Sequence, residues 1–213
     1  MPRILESLAL RMSSSALLTA LIGLCSLAPR SSSADSQDPP KGVDPGWLSR
    51  AEAQILAGEY EFSQLKPGAV MAPNRAQDLR TRVTAAGIEF TPRLPADRPF
   101  HLALTLAAFG REGAPRPVLG GTVGADRSRA TLAHGRAAIT EWVENRPEGV
   151  EQGFTLAERP HGGGSGTMTI VSLAVAGDLR ALSGRDPRQI EFADGTGRVR
   201  LFYGDLRATD SRG

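Results

Sequence analysis

The sequence is poor in cysteine and histidine, and both shortages restrict its chemistry. Cys25 is the only cysteine among 213 residues, and it lies within an apolar run near the amino terminus. A mature chain that has lost this run contains no thiol, so it has neither disulfides nor a cysteine nucleophile, and packing alone must stabilise its core. The three histidines, at positions 101, 134 and 161, lack the close spacings typical of metal sites, so no metal site is predicted.

A surplus of basic residues is also missing once the amino-terminal leader is set aside. The chain has 25 Lys and Arg residues and 23 Asp and Glu residues. Residues 1–34 hold three of the Arg and one of the Glu, which leaves 22 residues of each sign. Nucleic-acid binding proteins need an excess of Lys and Arg to displace counterions from phosphates, so nucleic acid is excluded as a partner.

The amino terminus has the pattern of a secretory signal peptide. Arg3 and Arg11 make the first residues basic, residues 16–27 are almost entirely apolar, and small residues precede Asp35. We therefore predict a signal peptide over residues 1–34 with cleavage after Ala34, and a secreted or cell-envelope location.

Two other uses of this leader are less favoured. A transmembrane helix requires ~20 apolar residues, more than the run provides, so no transmembrane segment is predicted. A lipoprotein anchored through Cys25 would need a small residue before the cysteine, but Leu24 stands there.

The rest of the chain divides into a linker and one domain. Residues 35–45 are rich in proline and charge, which predicts a disordered linker. Residues 46–213 are predicted to form a single domain. It begins with a short amphipathic helix over residues 46–58, whose apolar stripe we expect to cap the end of a sheet.

From Glu59 onward the apolar residues recur with a period of two. About ten short runs of this kind are separated by Gly, Pro, Asn or Asp. Because no long helical pattern lies between them, parallel strands with helical crossovers are not expected. The sequence predicts an all-β fold: an antiparallel, jelly-roll-like β-sandwich with about ten strands and one short amino-terminal helix.

The stretch ITEWVENRPEGVEQGFTLAE, residues 139–158, predicts a hairpin with a turn at residues 146–149. Counting outward from this turn pairs Glu144 with Glu151 and Trp142 with Gly153. One face then carries an apolar set that belongs against the core: Ile139, Val143, Phe154 and Leu156. Trp142, Glu144 and Glu151 lie on the opposite face, where the indole is expected to cover Gly153 and to face outward.

The outer face of this hairpin is the candidate ligand-binding site, formed by Trp142, Glu144 and Glu151. Three interpretations are open: a glycosidase-like acid/base pair, a platform for sugars or Ca²⁺, and a structural polar face. Glycoside hydrolysis needs two carboxyls in a concave site with one of them kept protonated, which a solvated hairpin face does not provide. The structural polar face is the favoured interpretation. No cofactor is predicted, and bound Ca²⁺ is the weaker alternative. Two opposed glutamates imply arginine neighbours, a bound cation or sugar, or a register shifted by one residue.

Four stretches, in their order and spacing, resemble the amino-terminal region of large exported bacterial surface proteins that carry integrin-alpha-type FG-GAP repeats. The stretches are APNRAQDLRTRVTAAGIEFTPR (72–93), ITEWVENRPEGVEQGFTL (139–156), GDLR (177–180) and IEFADGTGRVRLFYGDLRATDSRG (190–213). The resemblance is weakest over residues 96–136. Similar proteins continue beyond the segment matching residues 205–213 into further strands and then the repeats. We therefore expect this chain to be a truncated product, a gene fragment or a standalone relative.

The resemblance implies a non-catalytic β-rich module with a structural or adhesive role at a bacterial surface, and it carries no catalytic residues over. Surface glycans or envelope proteins are the expected partners. The alternative function is a carbohydrate-binding, lectin-like domain or a glycoside-active enzyme that uses the face formed by Trp142, Glu144 and Glu151.

Overall fold

The structure is a computed structural model that describes residues 6–14, 46–95, 99–161, 167–183 and 189–209. The predicted linker at residues 35–45 lies outside the described residues, as does most of the predicted leader. Strands dominate the described part, with one α-helix, α1 (Trp47–Gly58), and one turn of 3-10 helix at Gly135–Ala137. The predicted all-β antiparallel sandwich is confirmed.

The strands form two antiparallel sheets. In order across the eight-stranded sheet these are β13 (Arg180–Ser183), β14 (Ile190–Ala193), β15 (Val199–Thr209), β1 (Glu6–Ser14), β11 (Gly149–Leu156), β10 (Ile139–Arg146), β9 (Arg129–His134) and β8 (Thr122–Asp126). Across the seven-stranded sheet they are β12 (Thr169–Gly177), β6 (Leu102–Arg111), β5 (Gly87–Pro92), β4 (Leu79–Thr84), β3 (Ala69–Asn74) and β2 (Ser63–Lys66), while β7 (Ala114–Pro117) also pairs with β6. Consecutive strands mostly stay within one sheet.

The core lies between the two sheets, because strands such as β4, β6 and β10 turn alternate apolar side chains toward the other sheet. In β4, for example, Leu79 and Val83 are buried while Arg80 between them is exposed. One cluster joins residues of both sheets, among them Phe90, Leu104, Val143, Val150, Phe192, Leu201 and Tyr203. A second cluster, at the β6 side, contains Leu106, Phe109, Ile139, Phe154 and Leu156. Burial of these side chains is the main stabilising contribution to the fold.

A pair of buried amides ties the two sheets together beside the β10–β11 turn. The Asn74 side chain donates to Asn145 Oδ1 at 2.7 Å and to the Arg146 carbonyl at 2.8 Å. Asn145 in turn donates to the carbonyls of Tyr60 and Pro73. These bonds fix the end of the hairpin against β3, because every buried polar group here has a partner that would be lost if the strands shifted.

The described residues contain fifteen strands, more than the alternation predicts. β3 carries a weak strand signal because it contains Pro73, and proline is unusual within a sheet. The strand tolerates it because β2 pairs only with Ala69, Val70 and Met71, so that β3 has a partner on one side alone at Pro73. β7, β8, β9 and β13 are short and rich in Ala, Gly, Arg or Pro, which weakens the strand pattern.

The predicted helix is present, but its predicted packing is wrong. Trp47, Leu48 and Ile55 remain 56%, 58% and 66% exposed, so this part of the apolar stripe covers no sheet. The physical reason is that the two sheets already cover each other's apolar faces with strand side chains. The helix therefore has no sheet face left to cap.

The described part of the leader forms a central strand of the eight-stranded sheet. β1 pairs with β11 from Glu6 to Met12 and with β15 from Ser7 to Ser14, and it is antiparallel to both. β11 and β15 therefore run parallel to each other on either side of it. The alternation did not predict this strand, because the residues were assigned to a signal peptide. Cleavage after Ala34 remains a prediction.

Candidate functional site

The predicted hairpin register is confirmed in full. β10 pairs with β11 from Ile139 opposite Leu156 to Arg146 opposite Gly149. Glu144 therefore lies opposite Glu151, and Trp142 lies opposite Gly153. The turn fixes this register, because its Pro147 and Gly149 suit the start and the end of a tight turn.

Trp142 lies on the outer face, as predicted, but the expectation that it is solvated is wrong. Its side chain is only 7% exposed. The ring lies so close over Gly153 that a Cβ atom at position 153 would overlap it. The Arg129 guanidinium also stacks on the indole, with Cζ 4.1 Å from the ring centroid. These two contacts remove the indole from the surface that a sugar ring would contact.

The opposed glutamates are held by arginine side chains. Arg129 Nη1 lies 3.3 Å from Glu144 Oε2, and Arg146 Nη2 lies 2.9 Å from Glu144 Oε1. Arg146 also reaches Glu151, with Nη1 3.3 Å from Oε2. Three explanations were open for two opposed glutamates, and the structure shows the first of them, arginine neighbours. Arg129 lies directly opposite Glu144 on β9, a strand that the alternation did not reveal.

This geometry limits what the outer face can do. Both carboxylates are partly exposed and each already has a guanidinium partner, so a ligand that binds them must compete with arginine. A concave surface in the described part of the chain is lined by residues of α1, including Trp47 and Arg50. It includes none of the three candidate residues.

The inner face of the same hairpin carries a buried polar chain that the sequence interpretation missed. The Tyr203 hydroxyl donates to Gln152 Oε1 at 2.8 Å, and Gln152 Nε2 donates to Glu141 Oε1. Glu141 Oε2 lies 3.5 Å from His134 Nε2. All four side chains are buried, and burial raises the pKa of Tyr203, assisted by the charge of Glu141. The four side chains come from β15, β11, β10 and β9, and β1 lies between the first two of these strands.

The hydrogen bonds determine which protons His134 holds. Nδ1 lies 2.8 Å from the Leu119 carbonyl oxygen, which can only accept, so Nδ1 carries a proton. In the neutral ring, Nε2 would then present a lone pair to the Glu141 carboxylate. Interaction with Glu141 accordingly raises the pKa of His134, although burial acts in the opposite direction. His134 and the Glu141 carboxylate therefore form a pair within the core.

The sequence contained a signal for this series of buried polar side chains. Glu141 and Gln152 occupy inward positions of the alternation, between Ile139 and Val143 on β10 and between Val150 and Phe154 on β11. Polar residues at core positions are seldom buried without partners. His134 and Tyr203 lie outside the hairpin stretch, and only the fold brings His134 next to Glu141 and Tyr203 next to Gln152.

The remaining candidates do not converge on a metal site. Among the described residues no group of three or more His, Cys, Asp or Glu side chains is placed to hold a metal ion. His101 lies 3.5 Å from Glu89, and His161 is exposed at the end of a described segment. No described helix is long and apolar enough to span a membrane.

Comparison with known proteins finds no matching family model, no similar curated protein and no similar solved structure.

Proposed function

We propose that this chain is an exported, non-catalytic β-sandwich module of a bacterial cell-surface or secreted protein, with a structural or adhesive role. The observation that carries the proposal is the neutralised outer face, where Arg129 and Arg146 occupy the carboxylates of Glu144 and Glu151. A substrate that uses these carboxylates would have to displace the arginine side chains, whereas a structural polar face requires no such change.

Three further features support the proposal. The leader has the pattern of a signal peptide, as described above. The buried chain from Tyr203 to His134 joins side chains of one sheet within the core and offers a substrate no contact at the surface. The third feature is the resemblance to the amino-terminal region of surface proteins with FG-GAP repeats, which covers residues 72–93, 139–156, 177–180 and 190–213.

The alternative is a carbohydrate-binding or glycoside-active domain that uses the face around Trp142. One observation favours it: the indole Nε1 is buried and has no hydrogen-bond partner among the described residues. A ligand hydroxyl could satisfy this donor only if the Arg129 side chain moved away from the ring.

Two measurements test the proposal. Amino-terminal sequencing of the protein recovered outside the cytoplasm should begin at Asp35, whereas a protein confined to the cytoplasm with an intact Met1 would contradict export. Glycan arrays and chromogenic glycosides should show neither binding nor hydrolysis above background. Binding lost in Trp142→Ala, or hydrolysis lost in Glu144→Gln and kept in the exposed turn variant Glu148→Gln, would instead establish the alternative.

A further inference from the structure

The leader strand occupies an interior position of its sheet rather than an edge. On their far sides, β11 pairs with β10 and β15 pairs with β14. On their near sides both strands pair only with β1. Removal of residues 1–34 would therefore leave two facing rows of backbone N–H and C=O groups without partners. Such groups are satisfied by another strand, by water or by collapse of the gap.

Collapse of the gap is opposed by side chains that span it. β11 and β15 lie two strand spacings apart, roughly 10 Å, because one strand fits between them. On the core side the Tyr203 hydroxyl bonds to Gln152 across this distance, at 2.8 Å. Val150 of β11 and Leu201 of β15, the two strands that form the walls of the gap, are packed in the same core cluster. Direct pairing of β11 with β15 would need an approach of about one strand spacing and would displace this buried hydrogen bond.

We propose that, once the leader has been removed, the gap between β11 and β15 binds one extended segment of a partner polypeptide, which adds as a strand antiparallel to both walls. This inference rests on the proposed export and cleavage. Strand addition of this kind draws affinity from main-chain hydrogen bonds and specificity from alternate side chains. Here both edges of the added strand are paired, which doubles the backbone contacts relative to addition at a single sheet edge.

The register specifies the chemistry of the partner segment. Positions 8, 10 and 12 lie opposite Phe154, Gln152 and Val150, whose side chains are buried in the core. The leader has Leu8, Leu10 and Met12 there, so the partner needs apolar residues at three alternate positions. Position 9 lies opposite Gly153, and the leader has Ala9 there, so we expect a small residue at this position. Position 11 lies opposite Glu151 and suits a basic residue.

The nearest remaining segment of the chain does not match this specification. Residues 35–45 contain Pro39, Pro40 and Pro45 and no run of alternate apolar residues. Proline has no backbone N–H to donate, so a central strand cannot contain it without losing ladder bonds. A segment of another polypeptide is therefore the occupant that the register favours.

The test uses the processed protein, with its start at Asp35 verified, and a peptide of residues 6–14 carrying Ser7→Cys. The processed chain has no cysteine, so Thr155→Cys and Thr140→Cys each provide one thiol. Position 7 lies opposite Thr155, and Thr155 lies opposite Thr140 on the next strand. Disulfides need Cα atoms within about 7 Å, so the Thr155→Cys variant should react about tenfold more than Thr140→Cys, which is two strands away.

Three further measurements complete the test. The unmodified peptide should raise the melting temperature of the processed protein, and a Leu10→Pro peptide should not. The unprocessed Thr155→Cys chain, in which Cys25→Ser removes the other thiol, has its own leader in the gap and should not react. If the processed protein alone is unfolded, the peptide should restore its β-type circular dichroism.

Equal reaction at both cysteines, no effect of the peptide on melting or folding, or a stable dimer of the processed protein that excludes the peptide would overturn the proposal. These results with a verified Asp35 start would leave export intact. A cytoplasmic protein with an intact Met1 would overturn export and the open gap together, whereas an exported protein with an intact Met1 would overturn cleavage and the open gap.

Discussion

At the scale of single residues, Trp142 and Gly153 form the tightest contact on the outer face of the hairpin. A Cβ atom at position 153 would overlap the indole ring, so Gly153→Ala should lower the free energy of unfolding by about 1–3 kcal/mol through overpacking. Urea denaturation provides the measurement. Gly195→Ala is the matched control, because the same atom would meet nothing within 4 Å there. Adding Trp142→Ala should remove most of the effect of Gly153→Ala, and strictly additive losses would contradict the contact.

Glu144 is held by two guanidinium groups, so removing its charge should cost stability rather than relieve repulsion from Glu151. Without arginine neighbours, Glu144→Gln would be neutral or slightly stabilising. With Arg129 and Arg146 present, we expect a loss of about 0.2–1 kcal/mol, because the pairs are partly exposed and solvent screens them. The loss should shrink at 1 M salt. The exposed Glu158→Gln should change nothing measurable, and a more stable Glu144→Gln variant would contradict the ion pairs.

The buried His134 predicts a particular dependence of stability on pH. Its pKa is raised in the folded state, above the ordinary value of 6.5. The resulting stabilisation is therefore complete below pH 6.5 and is lost as the pH rises through the folded pKa. In Glu141→Gln the partner charge is gone, so the stability difference between wild type and this variant should be largest at pH 5.5 and narrow toward pH 8.5. Melting temperatures across this range test it, and a constant difference would contradict the ion pair.

At the scale of elements, the β10–β11 hairpin depends on its apolar inner face. Phe154 is 1% exposed, within the cluster that joins the two sheets near β6. Phe154→Ala should lower the free energy of unfolding by about 3–5 kcal/mol, through lost burial and a cavity. The adjacent Thr155→Ala, on the outer face, should cost much less. If the two variants were equally destabilised in urea, the assignment of faces would be wrong.

The hairpin could be predicted because its turn chemistry and its alternation agree, and each residue of the turn constrains the pairing. The neighbouring β9 could not, because RATLAH has too few β-branched and aromatic residues to show a strand pattern. Because β9 has no clear strand pattern, Arg129 could not be placed beside the hairpin. It is one of the two arginines that pair with Glu144, and its guanidinium stacks on Trp142. The prediction therefore named the correct residues for the outer face, but it was wrong about the exposure of Trp142.

For the whole molecule, the antiparallel sandwich follows from period-two alternation in a chain without long helical patterns. Alternation specifies which face of a strand is buried, but not which strands are neighbours. The order of strands across the eight-stranded sheet, and the meeting of His134, Glu141, Gln152 and Tyr203, arise from pairings between distant residues. Sequence patterns of local origin carry no information about such pairings.

The position of β1 leads to a prediction about the whole molecule. A chain that retains its leader has β11 and β15 paired on both sides, whereas a chain that begins at Asp35 has lost every rung contributed by residues 6–14. The processed chain should therefore unfold at a lower denaturant concentration than the unprocessed chain. Hydrogen exchange should locate the difference: amides that β11 and β15 direct toward the gap exchange faster, while those of the β4–β5 ladder in the other sheet stay protected. Equal protection of the β11 and β15 amides in both forms would mean that the gap closes without a partner, because only direct pairing of the two walls would keep those amides bonded.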